Sequence, residues 1–114
     1  MTFKHASLAC KRRFNGLGRL FEPRNEKLYP VIFQDTNREI LGSKAHWIGI
    51  RRDNSFNFIS FRYATGGALV MEKWNSDQSD STLDCVEVQS TGKYWNKVKC
   101  DKKLPSICEK IESM

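Results

Sequence analysis

Four cysteines, Cys10, Cys85, Cys100 and Cys108, constrain this chain more than any other feature. None lies in a Cys-x-x-Cys pair, and only two histidines accompany them, His5 and His46. A structural zinc site draws its ligands in closely spaced pairs, so this spacing argues against zinc. An even count in a short chain points to two disulfides and an oxidising compartment. Three pairings are open. A bond from Cys85 to Cys100 would close a loop of about 14 residues and contribute roughly 3 kcal/mol in the chain-entropy model. One from Cys10 to Cys108 would close nearly the whole chain, for about 4–5 kcal/mol. The other reading is four free buried thiols in a cytosolic protein, which the lack of an apolar signal-peptide core after Met1 supports weakly. Staples suit the size: 114 residues are expected to form one domain, 1–114, with a limited core.

The apolar pattern changes period along the chain. Residues 2–14 read as a helix, with Phe3, Ala6, Cys10 and Phe14 on one face, Thr2 as its cap, and Gly16 and Gly18 as stop signals. A second helical stretch lies within 25–41, with Leu28, Val31, Ile32, Ile40 and Leu41 as candidate buried positions. Pro30 is expected to start or kink it. From residue 46 the pattern is that of short strands at 46–50, 56–63, 69–71, 85–88, 94–98 and 106–109. Turn signals separate them at Asp53-Asn54, Gly66-Gly67, Ser90-Thr91-Gly92 and Pro105. Helices followed by a run of strands is an α+β order. The polar stretch 74–84 reads as a functional or variable loop.

The order of short motifs resembles one family. Trp47-Ile48-Gly49-Ile50 is close to the Trp-Ile-Gly-Leu signature of C-type lectin-like domains. Tyr63-Ala64-Thr65-Gly66-Gly67-Ala68-Leu69 leads to Trp74 as in the approach to the long loop of collectin-like members. Asp84-Cys85-Val86, Tyr94-Trp95-Asn96, Cys100 and Ile107-Cys108-Glu109 resemble the family's Glu-Asp-Cys-Val, Trp-Asn-Asp, Cys and terminal Ile-Cys-Glu. The first helix with Cys10 and Gly18-Arg19-Leu20 also fits, so the likeness runs from residue 2 to residue 110. It implies two helices on antiparallel sheets, disulfides Cys10–Cys108 and Cys85–Cys100, and a secreted or ectodomain setting. Family members usually carry a first strand before the first helix, paired with the last strand. This chain begins at the helix, so it is either an N-terminally incomplete fragment or its terminal strand near Ile107 lacks a partner.

The resemblance also implies a site. Sugar-binding members hold a calcium ion at the end of the long loop, and calcium takes six to eight oxygen ligands. The first ligand pair reads Glu-Pro-Asn for mannose-type sugars and Gln-Pro-Asp for galactose-type ones. Here the place holds Gln78-Ser79-Asp80, galactose-type at its ends and without the proline. That proline is cis in the family, and a cis bond before Ser79 would cost about 3–4 kcal/mol, so a shifted turn with a trans bond is expected. Leu83 stands where a glutamate ligand is usual, and Lys97 where an aspartate is. The metal-ligating candidates are therefore Gln78, Asp80 and Asn96 with Asp84 nearby, a degenerate set. The ligand-contacting candidates are Trp74, Gln78, Asp80, Asn96 and Lys97, and Lys97 is expected to enter the vacated site and pair with Asp80. No cofactor is called for beyond that calcium.

The chain carries 19 Lys+Arg against 13 Asp+Glu, a net charge of +6. Basic residues group as Lys11-Arg12-Arg13, Arg51-Arg52 and Lys93, Lys97, Lys99, Lys102, Lys103. On one face they would suit a sulfated polyanion; as a solvated surface they would only keep the domain soluble. No nucleic-acid motif accompanies the charge. No apolar run approaches the ~20 residues of a membrane helix. No nucleophile–base grouping or phosphate loop marks an enzyme. Trp47 and Trp95 are expected in the core, His5 on the surface, and His46 packed or exposed rather than catalytic. The expected function is binding: of carbohydrate through the long loop with weak or absent calcium dependence, or of a protein or sulfated polyanion without calcium.

Overall fold

The computed structural model describes residues 1–34, 42, 44–53, 60–75 and 82–111. The expectations for Ile40, Leu41, the strand start at 56–59, Gln78, Asp80 and the bond before Ser79 lie outside them. Among the described residues eight elements follow in order: α1 Phe3–Gly16, β1 Gly18–Leu20, α2 Tyr29–Ile32, β2 His46–Asp53, β3 Ser60–Tyr63, β4 Cys85–Val88, β5 Trp95–Val98 and β6 Cys108–Lys110. One sheet has the order β3-β2-β4-β5 and the other pairs β1 with β6; every strand pairing in them is antiparallel.

The Thr2 hydroxyl caps α1 by accepting from the His5 N–H. Phe3, Ala6 and Cys10 are buried as the pattern predicts, but Phe14 is exposed. The chain leaves helical geometry at Arg13, and Phe14 and Asn15 adopt positive φ, so the face ends one turn early. In α2, Pro30 sits in the first turn, where its missing N–H costs no helical bond. Leu28 and Val31, expected inside, are 61% and 46% exposed. Tyr29 and Phe33 take the buried face instead. No strand forms at 69–71; an isolated bridge joins Arg62 to Ala68 nearby. The terminal strand does have a partner: β6 pairs with β1, Leu20 opposite Cys108 and Gly18 opposite Lys110.

Strand alternation explains the two cores. On β2, Trp47 faces a cluster of Phe3, Ala6, Cys10, Leu20, Cys85 and Leu104. Ile48 and Ile50 face the other way, onto Phe21, Tyr29, Val86, Val88 and Trp95. Trp47 and Trp95 are fully buried. The disulfides are Cys10–Cys108, which ties α1 to β6, and Cys85–Cys100. Gly49 is glycine because the segment after β1 crosses β2 there: a Cβ would lie 2.8 Å from the Leu20 carbonyl oxygen and 2.9 Å from Glu22 Cγ.

Burial creates two pH-sensitive groups. Desolvation pushes the His46 pKa below its ordinary value, although Nδ1 lies 2.9 Å from the Lys44 carbonyl oxygen. Desolvation pushes Tyr29 up to about 12, against the hydrogen bond it accepts from Trp95 Nε1 at 2.9 Å. The Tyr29 hydroxyl in turn donates to the Gly92 carbonyl at 2.7 Å. Between pH 10 and pH 12 the folded chain therefore keeps a proton that the unfolded chain releases. Stability is full below this window and falls as pH rises through it, by up to about 1.4 kcal/mol per unit. Tyr29→Phe is expected to remove that alkaline limb in urea unfolding. It should also cost about 1–3 kcal/mol at neutral pH by leaving the Trp95 N–H unpaired. A variant with an unchanged alkaline limb would contradict the assignment.

Candidate functional site

Residues 73–75 run beside β5 and place the mouth of the long loop. The Trp95 N–H donates to the Lys73 carbonyl at 2.7 Å, and the Asn75 N–H to the Trp95 carbonyl at 3.0 Å. Trp74 is thereby held half-buried at the sheet edge. Its ring meets Trp95 edge-on at 5.5 Å and Phe61 at 5.3 Å. Its Nε1 donates to Glu72 Oε1 at 3.1 Å.

Alternation along β5 sends Trp95 and Lys97 to one face and Asn96 to the other. Lys97 Nζ stands 4.9 Å from the Trp74 ring centre and 5.0 Å from that of Phe61. An ammonium over two rings is attracted by their electron-rich faces, at about 0.5–1 kcal/mol per exposed contact. Arg52 covers Phe61 as well, at 4.9 Å. Phe61 is thus a shelf for two cations, which the sequence analysis did not pick out.

The amide of Asn96 is engaged at both ends. Its Oδ1 accepts from Asn75 Nδ2 at 3.1 Å, and its Nδ2 donates to Glu87 Oε2 at 3.3 Å. Glu87 is itself buried and pairs with Lys102 at 2.6 Å. Asp84 accepts from Arg52 Nε at 2.8 Å, and Arg52 also donates to the Leu83 carbonyl at 3.1 Å. Of the sequence candidates, Trp74, Asn96 and Lys97 come together around β5. Asp84 belongs to a pair with Arg52 on β2, and Gln78 and Asp80 fall outside the described residues. Among the described residues no three His, Cys, Asp or Glu side chains form a metal-holding group. Three lysines of the basic group near the final strands have partners of their own: Lys97 on rings, Lys102 on Glu87, and Lys93 at 5.3 Å over Tyr94.

The other polar centre, also missed in sequence, is Glu22. It is 3% exposed, and its carboxylate accepts from Arg24 and the Thr65 hydroxyl, each at 2.8 Å, and from the Thr65 N–H at 3.0 Å. Arg19 stands 3.5 Å away. This hub pins the segment after β1 to the turn after β3. Among the described residues no helix is long and apolar enough to cross a membrane.

The chain matches the Lectin C-type domain family over residues 1–110. The carbohydrate-recognition domain of the mouse scavenger receptor C-type lectin is similar in structure, with a TM-score of 0.74 and 22% identity over 99% of this chain and 84% of that one. Human lithostathine gives 0.77 and 18%, over 98% and 85%. The C-type lectin CEL-I from Cucumaria echinata gives 0.75 and 20%, over 95% and 81%. At such identities the likeness is one of fold. No curated protein matches the chain by sequence.

Proposed function

Because the chain belongs to the C-type lectin domain family, we propose that it is an extracellular binding domain, without catalysis, that recognises carbohydrate through its long loop and does so without a tight calcium site. The observation that carries this reading is the stack at the loop mouth. Trp74 offers a half-buried ring there, and the Lys97 ammonium lies 4.9 Å from it; the resemblance in motif order sets Lys97 where calcium-binding members have an anionic ligand. A cation at that position repels calcium and removes an oxygen donor. Leu83 removes another donor, and Asp84 is paired with Arg52. The described side chains therefore do not suit a calcium shell of oxygen ligands. Trp74, Asn96 and Lys97, with Gln78 and Asp80 from the loop, are the proposed sugar contacts. Any calcium chemistry that remains would favour galactose-type sugars, from the Gln78 and Asp80 pattern. Two disulfides, which persist in oxidising compartments, support the extracellular setting.

Glycan binding measured in chelator tests this. Trp74→Ala is expected to weaken binding about tenfold or more, on the scale of losing one buried aromatic contact. Asp80→Ala is expected to weaken it too. Binding by both variants at the wild-type level would place carbohydrate recognition elsewhere and overturn the reading.

A further inference from the structure

We propose a second binding site: a groove centred on Arg51 of β2 that takes a linear sulfated saccharide. It goes beyond the long-loop reading and does not depend on it. Arg51 lies directly opposite Arg62 in the β2–β3 register, so two guanidinium groups leave neighbouring strands on one face. Like charges in that position destabilise a sheet unless an anion sits between them. Asp53 stands 3.7 Å from Arg62 Nε, on the Arg62 side of this pair. Arg51 has no ion-pair partner among the described residues.

Arg51 also joins two clefts. On one side is a cleft of about 560 Å³ that it lines with Arg62, Arg52 and the turn at 64–66. On the other is one of about 630 Å³ that it lines with Lys4, over an apolar floor of Phe3 and Leu8. Lys4, like Arg51, has no ion-pair partner among the described residues. Asp101 is on the rim of that cleft and pairs with neither. The result is an open track with cations at its centre and along both arms. A polymer with regularly spaced anionic groups matches such a track better than one small anion does.

The lining selects the polymer. Ser7 and the capping Thr2 line the second cleft, small polar residues that suit sugar hydroxyls. Neither cleft offers an open ring for a nucleic-acid base: Phe3 is buried edge-on against Trp47, and Tyr63 is covered by Arg24 at 4.1 Å. Arginine also brings a fixed fork of donors that fits a sulfate's oxygens, as lysine does not.

The test is binding of a heparin-derived oligosaccharide at physiological salt. Arg51→Ser is expected to weaken it about tenfold, the loss of a charge-assisted contact, and Lys4→Ser to weaken it less. Arg51→Lys should fall between, keeping the charge and losing the fork. Lys11→Ser, an exposed cation outside both clefts, should bind within about twofold of wild type. All three positions are at the surface, and equal thermal midpoints would confirm that the fold is intact. Equal loss in Lys11→Ser and Arg51→Ser would mean net charge alone and overturn the site. So would equal binding of the desulfated polymer, or single-stranded DNA bound as tightly with the same Arg51 dependence. Loss in Trp74→Ala with none in Arg51→Ser would return the polyanion to the long loop.

Discussion

Replacing Cys10 and Cys108 together by serine is expected to leave the chain largely unfolded at body temperature. The two residues are 98 apart in sequence, so the bond restrains almost the entire unfolded chain. The chain-entropy model puts a loop of that size at about 4.7 kcal/mol, against about 3 for a loop of some 15 residues. Domains of this size are stable by only about 5–15 kcal/mol in total. The bond also joins α1 to β6, and both sulfurs lie beside the Phe3–Trp47 cluster. The paired Cys85→Ser and Cys100→Ser variant, whose bond spans 15 residues, is expected to lose less. Thermal unfolding followed by circular dichroism gives both numbers. A Cys10/Cys108 variant within a few degrees of wild type would contradict the account, as would the reverse order of the two pairs.

Glu22→Ala is expected to have the next largest effect, about 3 kcal/mol, with a midpoint more than 10 °C lower. The carboxylate is almost fully buried and is the common acceptor for Arg24, for both donors of Thr65 and, more loosely, for Arg19. Its loss takes away the acceptor of both donors of the exposed Thr65 and removes the tie between the segment after β1 and the turn after β3. Arg19 and Arg24 keep enough exposure to find water, so the cost stays below that of exposing a buried charge alone. Glu22→Gln keeps the shape but turns an amide donor toward groups that are all donors, and should recover little. A loss below about 1 kcal/mol in Glu22→Ala would show that the hub contributes no more than an exposed pair.

The same residues show how far sequence could be read. Trp47-Ile48-Gly49-Ile50 was legible because its demands are local: alternate faces for Trp47 and Ile48, and no side chain at Gly49 where another segment crosses. The disulfide partners were legible through the family resemblance alone, since spacing left three pairings open. Leu28 and Val31 were misread because hydrophobicity does not choose a face in a single turn of helix. The choice was made by Tyr29, whose hydroxyl reaches both Gly92 and Trp95 across the core. Phe14 was misread because the break at Arg13 is a property of the backbone and leaves no mark in the apolar period. At the candidate site, Trp74, Asn96 and Lys97 were found from motif positions. The role of Phe61 was not, because a ring under two cations is a contact between strands distant in sequence. Glu22 and Glu87 carry no mark in the sequence, and only their partners from other elements explain their burial.

The central claim is recognition of carbohydrate by a C-type lectin domain in which Lys97 takes the place of a calcium ligand. Its most direct measurement is glycan binding in millimolar calcium and in chelator, on the wild type and on Leu83→Glu combined with Lys97→Asp. Wild-type binding is expected to be equal in the two buffers. The double variant is expected to gain calcium-dependent binding, with galactose-type sugars favoured. Wild-type binding abolished by chelator would contradict the claim, and a double variant that takes up no calcium would show that Leu83 and Lys97 do not stand at the ligand positions.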